Sequence, residues 1–349
     1  MPVLEALATA VPAHAVAQST MKAKAAEVLG ALAPELVEKL DVFDHTGIAN
    51  RHFVRPMDWY LETHGWADRS AVFASEGAAL MEAATRDALA RAGLGPADVD
   101  GVVLVCTTGV ATPSLDARLA NRIGLDAPVQ RVPVFGLGCA GGVAGWNLAG
   151  DLARAHPSKR FLLLSLETCS LAFNLTDMSV RAFVATTLFA DGCAAAIVRG
   201  DALAGPSLGR VREGMSHQWR DSENVMGWDV LDDGLRVVFS RRIPEIVETQ
   251  LAPVVARYQK AQGIERPGRW ALHPGGTKVL EAYERALGLS ADDTRVSRAV
   301  LRDFGNMSSP TALFVLERML RERPLARGET AMLGALGPGF TAELGLLEG

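Results

Sequence analysis

The chain has 349 residues, 49% apolar and 21% charged, with a formal net charge of −5. This composition supplies a substantial core, excludes intrinsic disorder, and suits about two domains or one pseudo-symmetric unit. The acidic balance, with no basic run, excludes a nucleic-acid surface, so anionic substrates must be met by a few placed basic side chains and by backbone amides. No uninterrupted apolar stretch reaches membrane-spanning length. The start, Met1-Pro-Val-Leu-Glu5, lacks the basic and apolar regions of a signal peptide. A reduced, cytoplasmic setting without a membrane span is expected. Cys106, Cys139, Cys169 and Cys193 are the four cysteines, and no pair has the CxxC spacing of zinc or thioredoxin-type sites.

Residues 75–92 carry apolar side chains at helical spacing and end before Gly93, a suitable C-cap. Residues 101–107 form the first buried strand. Residues 129–134 form a weaker one, broken by Gln130, Arg131 and Pro133. Next comes a helix over residues 141–156, stopped by Pro157 and unusually rich in small residues. Interior glycines there cost roughly 1 kcal/mol each, which predicts an offsetting close contact at the centre of the molecule. Strands follow at 160–165 and 193–198, then a break near Gly200 to Gly209. Beyond it lie strands at 270–273 and 330–335, with a helix over 310–321 capped by Ser308 or Ser309 and with Pro310 in its first turn.

Strands alternate with helices in both halves, so the fold class is α/β, with halves 1–205 and 206–349 as a structural duplication. Three chemistry-bearing residues stand in glycine-rich strand-to-helix turns. Cys139 lies in Phe135-Gly-Leu-Gly-Cys-Ala-Gly-Gly142 ahead of a helix, where the helix field favours a thiolate and flanking glycines leave room for a substrate. His273 ends a strand before Pro274-Gly-Gly276, and Asn306 lies in Phe304-Gly-Asn-Met-Ser-Ser-Pro310. Each alone reads as an inert thiol, a hydrogen-bonded core histidine or a turn residue. Together they point to nucleophilic catalysis with an imidazole and an amide donor.

Gly138-Cys-Ala-Gly-Gly142, Leu272-His-Pro-Gly-Gly276 and Gly305-Asn-Met-Ser-Ser-Pro310 resemble the three catalytic motifs of type III polyketide synthases, the chalcone synthase-like enzymes. Ala8-Thr-Ala-Val-Pro12, Leu188-Phe-Ala-Asp-Gly192 and Gly334-Ala-Leu-Gly-Pro-Gly-Phe340 match as well, in order, over nearly the whole chain. The resemblance implies a thiolase-like layered αβαβα fold and a homodimer. It implies that Cys139 accepts an acyl group from acyl-CoA and that His273 holds the sulfur as thiolate beside an imidazolium. His273 and Asn306 then bind the malonyl-CoA thioester oxygen, with no metal or redox cofactor. It makes Phe189 a gate between CoA tunnel and cavity, and Val237, Ala172 and Cys169 cavity-lining residues. Thr112 takes the place of a methionine that crosses the dimer interface in plant relatives. Thr107, Gly276, Ser308, Gly337 and Pro338, in or beside the matched motifs, join the substrate-binding set. Arg51 and Arg55 are candidates for the CoA phosphates.

Initiating ketoacyl-ACP synthases share the Cys, His and Asn, but there the histidine precedes Gln-Ala-Asn, not Pro-Gly-Gly. Thiolases want a second, late cysteine, and none follows Cys193. The Cys-to-His separation also suits papain-like proteases, whose Cys-Gly-Ser-Cys-Trp context is missing. A non-catalytic acyl-CoA-binding module would have no need of all three residues. Small Ala172 and Val237, with Met226-Gly-Trp228 and Asp229-Val-Leu-Asp-Asp-Gly234, resemble bacterial members that extend long fatty acyl starters. The expectation is an alkylpyrone or alkylresorcinol synthase. The alternative is malonyl-primed synthesis of tetrahydroxynaphthalene-type products.

Overall fold

In the computed structural model, which describes residues 1–125, 129–232 and 234–349, the apolar runs become strands that feed alternate side chains into two different apolar layers. The first half contains β1 (Val3–Ala10), β2 (His14–Ala17), α1 (Gln18–Leu32), β3 (Asn50–Phe53), α2 (Trp66–Ala92) and β4 (Gly101–Val105). It continues with α3 (Leu115–Ile123), β5 (Gln130–Val134), α4 (Gly141–Ala155), β6 (Arg160–Thr168), α5 (Val180–Leu188) and β7 (Asp191–Arg199). The second half begins with β8 (Gly209–Val211), β9 (Met215–Gln218), β10 (Met226–Leu231), β11 (Gly234–Phe239), α6 (Ile243–Gln262) and β12 (Arg269–Leu272). It ends with α7 (Thr277–Leu287), α8 (Arg295–Phe304), α9 (Thr311–Glu322), β13 (Thr330–Gly337) and β14 (Thr341–Glu348).

Among the described residues the strands join in a mixed sheet of order β12-β13-β14-β8-β1-β7-β6-β4-β5, with β9 on β14. On β6, Phe161 and Leu163 pack with Val143 and Trp146 of α4, whereas Leu162, Leu164 and Leu166 pack with α2. On β13, Ala331 and Leu333 face the same central cluster, and Met332 and Leu336 join α6 and α7. The period-two alternation therefore sandwiches α4 and α9 between the two halves of the sheet, with α2 and α3 outside one half and α6 and α7 outside the other. This is the layered αβαβα arrangement expected from the motifs.

Two local expectations change and a third holds. Helix α2 starts at Trp66, well before residue 75. Its first turns bury Arg69 beside Val72 and Phe73, so a charged residue occupies the apolar stripe and hides it. The cap of α9 is Pro310, with no side-chain bond from either serine, because the Ser309 hydroxyl is engaged by Glu167. The weaker strand does form, as Gln130–Val134 on the sheet edge, where Pro133 removes no ladder bond that a neighbour needs. Hairpin β10–β11 stands apart from the main sheet. Asp233, in the Asp229–Gly234 run, lies outside the described residues.

Candidate active site

Strand β5 delivers the chain to a single 3-10 turn, Gly138–Ala140, which runs directly into α4 and carries Cys139. The Gly138 N–H donates to Thr107 Oγ1 at 3.0 Å, tying the turn to the end of β4. The C-terminal Gly-Pro-Gly loop presses on its other side. A Cβ on Gly337 would stand 2.5 Å from Ala140 Cβ and 2.6 Å from the Leu137 carbonyl oxygen, so only glycine permits this approach.

Asn306 is held by its backbone: its N–H donates to Leu188 O at 3.0 Å, and Ala190 N–H donates to Asn306 O at 2.9 Å. Its side chain then has one orientation, with Nδ2 donating to Gly275 O at 3.1 Å and Oδ1 accepting from Ser308 N at 2.8 Å. That second bond supports Ser308 at φ +60°, a strained region for a residue with a side chain. Ser308 Oγ in turn accepts from Cys139 Sγ at 3.4 Å. Hydrogen bonds thus run from Cys139 through Ser308 and Asn306 to Gly275, two residues after His273. The His273 ring is buried, and neither nitrogen has a hydrogen-bond partner among the described residues.

Burial sets the charge state. It pushes the Cys139 thiol up to about 12, against the lowering effect of Ser308, and pushes the His273 imidazole down to about 3. The sulfur donates to Ser308, and desolvation favours the neutral form of both groups.

Among the residues not singled out from sequence, Glu167 is the most prominent. Its Oε2 accepts from Thr107 N, Thr108 N and Thr108 Oγ1 at 3.0, 2.9 and 2.7 Å, and its Oε1 accepts from Ser309 Oγ at 2.8 Å. One buried carboxyl therefore joins the end of β4 to the Asn306 loop. Desolvation raises it to about 7 despite those donors. The only sequence signal is an acid closing the apolar run of β6.

Ala172 and Val237 line an apolar cavity of about 130 Å³ together with Phe173, Ala185 and Trp228. Phe173, Ala185, Trp228 and Val237 also pack with Cys139, Cys169 and Phe189, so the sulfur and the cavity share a wall. The Phe189 ring lies 5.7 Å from that of Trp228, and the Phe189 backbone bridges to Asn306. A second cavity, about 350 Å³, is lined by Thr107, Trp228 and Pro338. Gly276 caps α7 beside Leu188. Thr112 is exposed on the loop after β4.

Arg51 departs from expectation. It is fully buried and donates to the carbonyls of Thr186 and Phe189, so it is not available to a CoA phosphate. Arg55 is half-buried and pairs with Glu76 at 3.3 Å. Among the described residues no group of three or more His, Cys, Asp or Glu could hold a metal ion, and no helix is long and apolar enough to cross a membrane.

Residues 2–202 match the family model of chalcone and stilbene synthases, N-terminal domain, and residues 213–349 match that of the C-terminal domain. The chain belongs to the chalcone and stilbene synthase family. It is 39% identical over 348 residues to 1,3,6,8-tetrahydroxynaphthalene synthase of Streptomyces peucetius subsp. caesius, covering 98% of this chain and 92% of that one. It is 31% identical over 354 residues to an alpha-pyrone synthesis polyketide synthase-like protein of Mycobacterium tuberculosis, covering 98% and 89%. The crystal structure of 1,3,6,8-tetrahydroxynaphthalene synthase from Streptomyces coelicolor A3(2) superposes with a TM-score of 0.93 at 31% identity, covering 99% of both chains. The protein is a type III polyketide synthase, an acyl-transferring enzyme.

In such an enzyme a neutral His273 has the lone pair to take a thiol proton and the N–H to donate to a thioester oxygen. Its burial also predicts a pH effect. The folded chain holds the ring neutral down to about 3, whereas the unfolded chain protonates it below about 6.5. Stability is therefore lost as pH falls from about 6.5 toward 3, by roughly 1.4 kcal/mol per unit. Replacing His273→Gln should flatten this dependence. Thermal unfolding of both proteins at pH 7 and pH 5 checks it, and an unchanged difference between the two pH values would contradict it.

Proposed function

We propose that this type III polyketide synthase extends a long-chain fatty acyl starter with malonyl-CoA and closes the product as an alkylpyrone or alkylresorcinol. The observation that carries the reading is the apolar cavity sharing a wall with Cys139. Such a cavity favours aliphatic chains over polar or charged starters. The proposed roles rest on the resemblance of the three motifs and are supported by the hydrogen-bonded link from Cys139 to the Asn306 loop. His273 takes the Cys139 proton as the sulfur attacks the acyl-CoA carbonyl, and the proton leaves with the departing CoA thiolate. Malonyl-CoA then binds with its thioester oxygen toward His273 and the Asn306 amide. Loss of CO2 leaves an enolate that two such donors stabilise by roughly 3 kcal/mol each. The enolate carbon attacks the acyl-Cys139 carbonyl, and the C–S bond breaks to return the thiolate. CoA thioesters are the substrates, and no bound cofactor is required by this sequence of steps.

We assign Phe189, whose ring lies 5.7 Å from that of Trp228, to the gate between tunnel and cavity, and Cys169, Ala172 and Val237 to the acyl side. We assign Thr107, Ser308, Gly276, Gly337 and Pro338 to framing the sulfur and the entering thioester. The halves 1–205 and 206–349 are the proposed domains, and the cytoplasm the proposed location. A homodimer is supported by the open edge strand β5, which leaves Phe135 and Val110 each 57% exposed beside it, a surface suited to pairing.

Incubation with malonyl-CoA and a panel of acyl-CoA starters, read by product mass spectrometry, tests the reading. Long-chain products are expected. Preference for short or aromatic starters would overturn the starter assignment. Products from malonyl-CoA alone would favour the malonyl-primed alternative, which the 39% identity to a tetrahydroxynaphthalene synthase supports. Ala185→Phe, which fills the shared wall, should lower turnover of long starters roughly tenfold and spare short ones. Equal loss on both would place the acyl chain elsewhere.

A further inference from the structure

An α-helix leaves its last carbonyls without helical partners. At the end of α5, the carbonyls of Thr186, Thr187 and Leu188, and that of the cap residue Phe189, are taken by buried groups from elsewhere in the chain. Thr187 O accepts from Gln18 Nε2 at 2.8 Å, and Leu188 O accepts from the Asn306 N–H at 3.0 Å. Thr186 O and Phe189 O both accept from a single nitrogen, Nη1 of Arg51, at 2.6 and 2.9 Å. Asn306 is therefore a one-residue strand docked on the end of a helix, and Arg51 fixes the carbonyls on both sides of the docking point.

The setting of Arg51 is costly. It comes from β3, is 0% exposed, and its Nε and Nη2 have no hydrogen-bond partner among the described residues. Its guanidinium lies 5.2 Å from the centre of the Phe53 ring. Desolvation lowers it to about 9, so it stays a cation at neutral pH, and the carboxylate whose charge favours that cation is Asp191. Asp191 itself is occupied by Val54 N and Ser170. The stem of Arg51 packs under Gly305, where a Cβ would come within 2.8 Å of Arg51 Cγ. A buried cation without a direct ion pair contributes little to stability compared with an apolar side chain of similar shape. At a helix C-terminus, however, it is electrostatically favoured and geometrically specific.

We propose that Arg51 is a positioning residue for the decarboxylative half of the reaction: by pinning the Thr186 and Phe189 carbonyls it fixes the Phe189–Asn306 bridge and so aims the Asn306 amide. This rests on the reading that Asn306 donates to the malonyl thioester oxygen. The turn that carries Cys139 is positioned chiefly by other contacts, the Thr107 bond and the packing of Gly337, and it meets the Asn306 loop through the Cys139–Ser308 hydrogen bond. The two half-reactions should therefore separate.

Wild type, Arg51→Met, Arg51→Lys, Gln18→Met and Asn306→Ala are compared in two assays, each normalised to folded protein. Acylation of Cys139 by a long-chain acyl-CoA is followed by intact-protein mass without malonyl-CoA. Decarboxylation of malonyl-CoA to acetyl-CoA is followed without a starter. A misplacement of the amide by about 1 Å predicts a loss in decarboxylation of up to about 100-fold for Arg51→Met, with acylation changed by less than about threefold. Arg51→Lys, which keeps the charge and one donor nitrogen, should recover part of the loss. Parallel loss of both half-reactions, no loss of decarboxylation, or a lysine variant no better than methionine would overturn the proposal. If Arg51→Met does not fold, Gln18→Met decides, since it removes the neighbouring carbonyl bond. Selective loss of decarboxylation supports the docking role, and equal or no loss overturns it. Asn306→Ala with undiminished decarboxylation would instead refute the underlying reading of Asn306, whatever the Arg51 variants do.

Discussion

Cys139→Ala is expected to abolish polyketide formation, lowering product by roughly three orders of magnitude or more. Among the described residues the sulfur is the one nucleophile that the structure places against Phe189, Val237 and Trp228 while also linking it by hydrogen bond to the Asn306 loop. Without it no acyl group can be held between condensations, and intact-protein mass should show no adduct after incubation with acyl-CoA. Malonyl-CoA decarboxylation should survive in part, because His273 and Asn306 are untouched. Cys169→Ala is the informative control. Cys169 is also buried and packs in the same cluster, but its thiol is pushed far up by desolvation and by the surrounding acidic groups, with no lowering contact. It should keep activity within about threefold, as expected for a wall residue. Product from Cys139→Ala, or an equally inactive Cys169→Ala, would remove Cys139 from the nucleophile's role.

The three glycine-framed turns and their order were legible in the sequence because the chemistry needs unusual local composition. A cysteine between glycines, a histidine before Pro-Gly-Gly and an asparagine after glycine all stand out against apolar strands. The layer arrangement was legible for a related reason: Val, Leu and Ala runs without polar alternation require strands covered on both faces, as β6 and β7 are. Residues whose role depends on a long-range partner were not legible. Arg51 looks like any basic residue near a turn, and only the docking of β3 against the end of α5 reveals that it is buried. Glu167 gives no hint of binding Thr107, Thr108 and Ser309, since those partners come from both halves of the chain. The caps assigned to Ser308 and Ser309 failed for the same reason. Local preference favoured capping α9, but Cys139 and Glu167 offered these hydroxyls buried partners instead.

The small residues of α4 predicted a close contact, and the structure identifies the most sensitive point of it as Gly142. A Cβ there would lie 2.0 Å from the Ser309 carbonyl oxygen and 3.1 Å from its carbonyl carbon, both backbone atoms. Ser309 has little freedom to retreat, because its hydroxyl accepts from Ser165 and donates to Glu167, each at 2.8 Å. Gly142→Ala therefore sets two effects against each other. Helix propensity gains about 1 kcal/mol, while forcing a methyl into a packed backbone costs about 1–3 kcal/mol or more. At this separation the clash wins, and the displacement passes from Ser309 to Ser308 and Asn306. We expect a lower unfolding temperature and a loss of condensation activity of at least about tenfold, since sub-ångström errors at a reacting centre are strongly felt. Gly30→Ala in α1 isolates the propensity effect, because nothing lies within 4 Å of its Cβ, and it should raise stability by about 0.5–1 kcal/mol. Thermal unfolding and product yield of the two variants together decide the matter. If Gly142→Ala matched Gly30→Ala in stability and activity, the contact between α4 and the Asn306 loop would not be what holds the two halves of the site in register.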